Sequence, residues 1–267
     1  MMLDRGHFNL RTAVGQSIDK SFAELFANDG YEVVHNEGRF TVEKLHDVQI
    51  LVTAVAYGGN TDAMAAKSAF TQDEVELVYA WVERGGSLFL LFDHFPVAAA
   101  METLAKRFGV EVELGLASDE AHSVTPPECP VCFSGWIEYT RDNGLLRRHP
   151  ITEGRNESER VNRVVTFGGS SLTAPKPDDE FLKLSPSASN VPYQSGAPTD
   201  QKVRTAQGAA LHLGRGRVVM LADTNVVAAQ VVKVARNSMA LRSGIGYAGA
   251  NNRQLVLNIV HWLSGLL

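Results

Sequence analysis

A carboxylate and an imidazole stand side by side at the end of an apolar run in this chain. Residues 88–92 read Leu-Phe-Leu-Leu-Phe, and Asp93 and His94 follow at once. Such a pair can act as a general base with its orienting partner, or can bind a divalent metal that activates water. We therefore predict that Asp93 and His94 form the polar centre of a site. The competing interpretation makes Asp93 the cap of the next helix.

Similar polar side chains follow other apolar runs of the chain. If these runs are parallel strands of one sheet, their carboxyl ends meet at one edge, where ligands bind in such folds. We predict catalytic roles for Asp4, His7 and Asp223 beside Asp93 and His94. The predicted ligand-binding residues are Asn9, Asn225, Asn251, Asn252 and Ser170.

Two further patterns leave several interpretations open. Cys129 and Cys132 form a C-x-x-C pair, compatible with a structural disulfide or free thiols, a zinc site with His122 and another ligand, or a redox couple. Ser170 follows Gly168-Gly169 and suggests a serine nucleophile after a sharp turn. It lacks the full Gly-x-Ser-x-Gly pattern, so a plain glycine-rich turn is favoured.

The elements that must position these residues alternate between strands and helices. The apolar runs 48–55 and 88–92 predict buried strands, and the amphipathic stretches 17–29 and 97–108 predict helices. Residues 71–74 read Thr-Gln-Asp-Glu and predict a capping box. The expected fold is a three-layer α/β domain with a mostly parallel, flavodoxin-like sheet, a hairpin at 209–223 and a closing helix at 253–266.

A single domain spanning residues 1–267 is predicted. Two proline-rich stretches interrupt the pattern, and we expect a loop or flap at 115–135 and a surface excursion at 173–200. The three apolar residues before Asp4 look too few for a central strand. This suggests that the natural chain begins upstream, so that the protein is cytoplasmic as written but secreted or periplasmic if a leader was removed.

Composition narrows the classes of partner. The 267 residues carry a net charge of −5 with scattered Lys and Arg, which argues against nucleic acid. No apolar run approaches the roughly 20 residues of a membrane span. A small-molecule or carbohydrate ligand is expected, and a homo-oligomer is compatible with the sequence.

Three segments carry a family resemblance. They are the glycine-flanked strand at 88–92, the hairpin Gly214-Arg215-Gly216-Arg217-Val218-Val219 that leads to Asp223, and the closing stretch at 257–263. Together they resemble the class I glutamine amidotransferase-like superfamily, in a bacterial branch related to ThuA-like and gliding-motility proteins. The resemblance implies a cysteine nucleophile at a tight strand-to-helix turn. This chain has Asp93-His94-Phe95-Pro96 at that place, so thiol-dependent glutamine hydrolysis is not expected.

Two functions from different classes follow. The first is a hydrolase of a small ester, amide or sugar-derived substrate, working by His/Asp acid–base chemistry or with a divalent metal. The second is a non-catalytic carbohydrate- or peptide-binding module on a degenerate amidotransferase-like fold.

Overall fold

The computed structural model describes residues 1–124, 136–192, 202–234 and 239–267. The helices are α1 (Ala13–Asn28), α2 (Val42–Leu45), α3 (Asp62–Ala65), α4 (Gln72–Glu83), α5 (Val97–Arg107), α6 (Pro150–Glu153) and α7 (Asn252–Ser264). In the same ranges no helix is long and apolar enough to cross a membrane.

The strands are numbered in chain order. They are β1 (Met2–Asp4), β2 (Val34–Asn36), β3 (Ile50–Ala54), β4 (Ser87–Leu91), β5 (Glu111–Val112), β6 (Leu116–Ser118), β7 (Trp136–Thr140), β8 (Arg163–Phe167), β9 (Leu172–Thr173), β10 (Glu180–Lys183), β11 (Ser189–Val191), β12 (Ala206–Leu213), β13 (Gly216–Leu221), β14 (Val231–Val234) and β15 (Met239–Arg242).

The main sheet has the strand order β2-β1-β3-β4-β13-β12-β9-β5. Its first five strands are parallel, whereas β12 is antiparallel to β13 and forms the predicted hairpin with it. Helices cover the sheet, as the hydrogen bond from Ser87 to the α7 carbonyl of Leu263 and the stacking of Phe22 on Phe89 illustrate. The predicted three-layer α/β fold with a flavodoxin-like parallel part is therefore confirmed.

The central parallel strands are apolar because both of their faces are covered. All residues of β3 and β4 are buried, which explains the continuous apolar runs in the sequence. The predicted capping box is present, since the Thr71 side chain accepts from the Glu74 amide and Glu74 reaches back to the Thr71 amide.

Two expectations about short segments were wrong. The strand before Asp4 has three residues, yet it lies inside the sheet, with Met2 paired to both Val34 and Leu51. Within the expected surface excursion at 173–200, β10 joins the main sheet beside β12 and buries Phe181 and Leu182. In both segments long-range pairing supplies what the local sequence does not indicate.

Candidate functional site

The parallel part of the sheet changes its direction of winding between β1 and β3. The chain leaves β1 toward β2 on one side and leaves β3 toward β4 on the other. In open α/β sheets this switch point leaves a crevice beyond the carboxyl ends of the two strands, and ligands bind in it. Asp4 ends β1 at this position, so Asp4 and the residues that follow it lie where such a crevice forms.

The Asp4 carboxylate is buried and joins the ends of three strands. Its Oδ1 accepts from the Gly6 amide and from Asn36 Nδ2, both at 3.0 Å. Its Oδ2 accepts from Thr53 Oγ1 at 2.8 Å and from Asn9 Nδ2 at 3.3 Å. These donors and His7 Nδ1 together occupy the acceptor positions of the Asp4 carboxylate.

His7 lies between two carboxylates. Its Nδ1 is 2.8 Å from Asp4 Oδ2 and its Nε2 is 3.0 Å from Glu74 Oε1, while the Phe40 and Phe70 rings pack on it. Burial lowers the pKa of His7, but the bonds and charges of Asp4 and Glu74 outweigh it and the net pKa is raised. Because both carboxylates can only accept, the geometry favours an imidazolium that donates from both nitrogens, and neither nitrogen is left open for proton transfer.

Glu74 closes this group from the first turn of α4. Its Oε1 accepts from His7 and from the Phe40 amide at 2.9 Å, and its Oε2 accepts from the amide and hydroxyl of Thr71. Burial raises the pKa of Glu74, but these hydrogen bonds lower it further than burial raises it. Asp4, His7, Asn9 and Glu74 are called the switch-point cluster below. The capping box predicts the position of Glu74 from the sequence. Nothing in the local sequence indicates that Glu74 contacts His7, which lies 67 positions away.

A pocket of about 310 Å³ opens beside the switch-point cluster. Its walls include Gly6, His7, Gly38, Arg39 and Phe70. Gly6 is required at this place because a Cβ atom there would lie 2.0 Å from the Gly38 carbonyl oxygen.

Phe8 also borders the pocket, and its conformation is unusual. The residue is 46% exposed and has a φ angle of 55°, in the left-handed region that non-glycine residues seldom occupy. The residues on both sides are fixed, because the His7 amide donates to Asn9 Oδ1 and Asn9 Nδ2 donates to the Ala54 carbonyl. The buried cluster therefore holds a large aromatic ring at the surface in a strained backbone conformation.

A second group of acidic residues lies two strands away. Leu91 pairs with Leu221, so Asp93 and Asp223 follow neighbouring parallel strands at equivalent positions. Asp93 Oδ2 accepts from Thr224 Oγ1 at 2.6 Å, whereas Asp223 accepts from the backbone amides of Phe167 and Asn225. Burial, and secondly the charge of Asp93, raise the pKa of Asp223 to about 7. The Asp223 carboxyl group therefore holds its proton to a higher pH than an ordinary aspartate does.

His94 packs against this aspartate pair. Its Nδ1 lies 2.9 Å from the Phe95 carbonyl oxygen, which can only accept, so Nδ1 carries a proton. Its Nε2 lies 3.4 Å from Asp93 Oδ1, and the side chain is 20% exposed. The structure thus places Asp93, His94 and Asp223 together. The prediction that Asp93 caps the next helix is wrong, because α5 has Pro96 at its N-cap position and no side-chain cap, and Asp93 accepts instead from the amide of the adjacent His94.

A third polar group includes residues that the sequence did not single out. Asp119 Oδ2 is 2.8 Å from Nδ1 of His122 and accepts from Ser185 Oγ, and its Oδ1 accepts from Ser187 Oγ at 3.0 Å. Burial raises the pKa of Asp119, but these three donors outweigh it and the pKa is lowered. Asp119 and His122 are called the Asp119 dyad below. Their i, i+3 spacing repeats that of Asp4 and His7, which is the signal that could have found it.

The other predicted residues hold the backbone rather than gather at these groups. Asn251 Oδ1 accepts from the Arg163 amide, and the Asn252 side chain pairs with both backbone groups of Val165, which fixes β8 to α7. Ser170 is fully buried and donates to the Glu113 carbonyl. The Asn225 backbone amide donates to Asp223 Oδ1, so the Asp223 side chain caps the short turn that follows it.

The predicted metal site consists of Cys129, Cys132 and His122. Cys129 and Cys132 lie outside the described residues, and His122 is engaged with Asp119 as given above. Across 1–124, 136–192, 202–234 and 239–267, no group of three or more His, Cys, Asp or Glu side chains is arranged to hold a metal ion.

Comparisons with known proteins bear on the fold. No protein-family model matches the chain, and no curated protein matches it in sequence. The chain is similar to the solved mmIFT52 N-terminal domain, with a TM-score of 0.67 and 12% identity, over 99% of this chain and 97% of that one. At this identity the likeness shows the fold alone.

Two bacterial structures are similar at a lower level. The cytoplasmic protein STM3548 from Salmonella typhimurium has a TM-score of 0.48 and 11% identity over 91% of this chain and 85% of that one. A ThuA-like protein from Parabacteroides merdae has a TM-score of 0.45 and 10% identity over 98% of this chain and 88% of that one.

Proposed function

We propose that this chain is a binding module that holds a small carbohydrate or peptide ligand in the pocket at the switch point. The module uses an amidotransferase-like fold without the cysteine nucleophile. The observation that carries the proposal is Phe8, an aromatic ring kept exposed at the mouth of a pocket by a strained backbone.

The left-handed backbone conformation of Phe8 supports the proposal because it costs free energy that the packing of the fold does not require. A non-glycine residue in the left-handed region costs on the order of 1–3 kcal/mol. The ring gains little from burial in return, since 46% of the residue remains exposed. A ligand with a flat apolar face, such as a sugar ring or an apolar peptide side chain, would cover the ring and recover that energy.

The floor of the pocket suits binding better than catalysis. His7 and Glu74 contribute to it, and both ring nitrogens of His7 are already bonded to carboxylates. The pocket volume of about 310 Å³ is at the lower end for small-molecule sites, which fits one or two sugar units or a short peptide. Arg39 lines the pocket with a side chain that is 69% exposed; its Nη1 lies 3.5 Å from Glu74 Oε2, and its other guanidinium N–H groups add donors at the rim.

The test compares Phe8→Gly with Leu266→Ala, which alters another exposed apolar residue. Monosaccharides, disaccharides and short peptides are screened for thermal stabilisation, and hits are titrated by calorimetry. We expect wild type to bind one class, Phe8→Gly to bind it at least tenfold more weakly, and Leu266→Ala to bind it normally. The melting temperature of Phe8→Gly should stay close to that of wild type, because glycine relieves the strain. Equal affinity of Phe8→Gly and wild type, or no stabilisation by any compound, would contradict the proposal.

A hydrolase centred on Asp93, His94 and Asp223 is the second candidate. The observation in its favour is geometric: Nε2 of His94 lies 3.4 Å from Asp93 Oδ1, and Asp223 follows the neighbouring strand at the equivalent position. Burial and the charge of Asp93 raise the pKa of Asp223 to about 7, in the range that general acid–base catalysis uses. Turnover of p-nitrophenyl esters by wild type and by Asp93→Asn tests it. A loss of about 100-fold is expected, and equal rates would exclude a role for this pair in ester hydrolysis.

A further inference from the structure

We propose that Asp119 and His122 form a general-base dyad that activates water for the hydrolysis of a carboxylic ester. This activity would be separate from ligand binding at the switch-point pocket. It would also use residues other than those of the Asp93–Asp223 candidate.

The first part of the argument is the rigid position of Asp119. The residue is 1% exposed, and its carboxylate accepts from Ser185 Oγ at 2.5 Å and from Ser187 Oγ at 3.0 Å. The Ser187 amide also donates to Ser185 Oγ, which orders the hydroxyl groups themselves. A buried carboxylate held in this way has one orientation and stays ionised.

The second part is the orientation of His122. Because Asp119 can only accept, Nδ1 of the ring carries a proton, and in the neutral ring Nε2 then carries the lone pair. The side chain is 25% exposed, and within the described part of the chain Nε2 has no hydrogen-bond partner. A carboxylate that fixes the tautomer and stabilises the imidazolium formed later is the arrangement that makes histidine an efficient base.

The third part is the position of the dyad in the fold. The Ala117 amide donates to the Gly169 carbonyl, and Gly169 packs so closely on Asp223 that a Cβ atom would lie 2.2 Å from the Asp223 Cβ. The segment that carries the dyad therefore passes the carboxyl end of β13, at the edge of the sheet where ligands bind in this architecture.

The chemical step needs only water as the second reactant. His122 Nε2 takes a proton from water while the water oxygen forms a bond to the ester carbonyl carbon, giving a tetrahedral intermediate. The bond between that carbon and the alcohol oxygen then breaks, and the imidazolium returns its proton to the departing alcohol. The products are the carboxylic acid and the alcohol, and Asp119 keeps its charge throughout.

The experiment measures hydrolysis of p-nitrophenyl acetate by the full chain, with 1 mM EDTA present in a parallel series. Wild type is compared with His122→Gln and with His46→Gln. His46 is the matched control, because its Nδ1 also lies 2.8 Å from an aspartate, Asp47, but both side chains are largely exposed. A positioned base contributes about 100-fold or more, so His122→Gln should fall to the buffer rate while His46→Gln matches wild type.

The opposite results would overturn the proposal. They are a wild-type rate no higher than that of His122→Gln, an equal loss in His46→Gln, or a rate abolished by EDTA, which would make His122 a metal ligand. Loss of activity in Asp93→Asn with full activity in His122→Gln would also reject the dyad while leaving the hydrolase candidate standing. None of these results depends on whether the switch-point pocket binds a ligand.

Asp119 is a positioning residue, and its role needs a separate readout. In Asp119→Asn we expect a rate reduced at least tenfold and a change in the ¹⁵N chemical shifts of the His122 ring, as the Nδ1-protonated tautomer is no longer enforced. If Asp119→Asn does not fold, Ser187→Ala loosens the carboxylate more gently and should give a smaller change in the same direction. Unchanged ¹⁵N shifts together with an unchanged rate would show that Asp119 does not orient the ring.

Discussion

Two Asp-x-x-His pairs in this protein have the same local geometry and different chemistry. Asp4 with His7 and Asp119 with His122 both place Nδ1 of the histidine 2.8 Å from a carboxylate oxygen. Nε2 of His7 meets Glu74 and the ring is buried, whereas the His122 side chain is 25% exposed. The comparison teaches that the partner of the second nitrogen distinguishes a histidine enclosed by two carboxylates from one that has a single carboxylate partner and a partly exposed ring.

The largest predicted effect is a difference in the free energy of unfolding between variants of His7 and variants of His122. His7→Ala leaves Asp4 and Glu74 buried without their cation, so we expect the free energy of unfolding to fall by about 3–5 kcal/mol. His122→Ala should cost no more than about 1 kcal/mol, because the ring is partly exposed and Asp119 keeps its serine donors. Urea unfolding at pH 7 measures both. Equal losses of unfolding free energy in the two variants would contradict the distinction between the two histidines.

A third histidine shows what burial does without a carboxylate. Burial, and secondly the charge of His212, lower the pKa of His149 to about 4. The unfolded chain therefore binds more protons than the folded protein between about pH 6.5 and 4, and stability falls by about 3 kcal/mol as the pH drops through that range. His149→Asn keeps an acceptor for the Ile151 amide but does not titrate, so its urea midpoint should fall less between pH 7 and pH 4 than that of wild type.

The pKa of His7 is raised, so its effect on the pH dependence of stability has the opposite sign to that of His149. Its raised pKa means that its contribution to stability is present below about pH 6.5 and is lost as the pH rises through the folded-state pKa. The difference in stability between wild type and His7→Ala should therefore narrow at alkaline pH. A difference that widens with rising pH would show that His7 is neutral in the folded protein.

The smallest effect concerns the side chains that hold each carboxylate. Thr71→Ala removes the hydroxyl bonded to Glu74 and should cost about 1 kcal/mol as a lost helix cap. Ser187→Ala removes one donor to Asp119 from a partly exposed residue and should cost about 0.5 kcal/mol. Thermal unfolding of the two variants in one buffer gives the order, and the reverse order would mean that Asp119 is the more tightly integrated carboxylate.

Several parts of the fold could be predicted because their cause is local. The run of apolar residues in β4, the capping box at Thr71 and Glu74, and the glycine turn between β12 and β13 each follow from neighbouring residues. That Asp93 and Asp223 lie at the same edge of the sheet was also expected, since both follow apolar runs that were predicted to be parallel strands, whereas the direct pairing of those two strands was not predicted.

Two elements that were not predicted correctly, β1 and β10, depend on pairing with strands that are distant in the sequence. The three residues of β1 are too few to predict an inner strand, and they form one because β2 and β3 pair on both sides. The residues of β10 lie among prolines, and they are ordered by pairing with β12 more than 20 positions later in the chain. No pattern within either segment carries that information.

The sequence by itself determined the alternation of elements, the parallel sheet and the polar residues at its edge, because hydrophobic periodicity and capping act over a few residues. It also determined that two aspartates lie three positions before a histidine. Only the tertiary structure decided what each pair became. Glu74 arrives from 67 residues away to occupy the second nitrogen of His7, whereas His122 keeps a partly exposed ring. Burial and a second charge are properties of the folded chain, and they set the protonation state on which the chemistry depends.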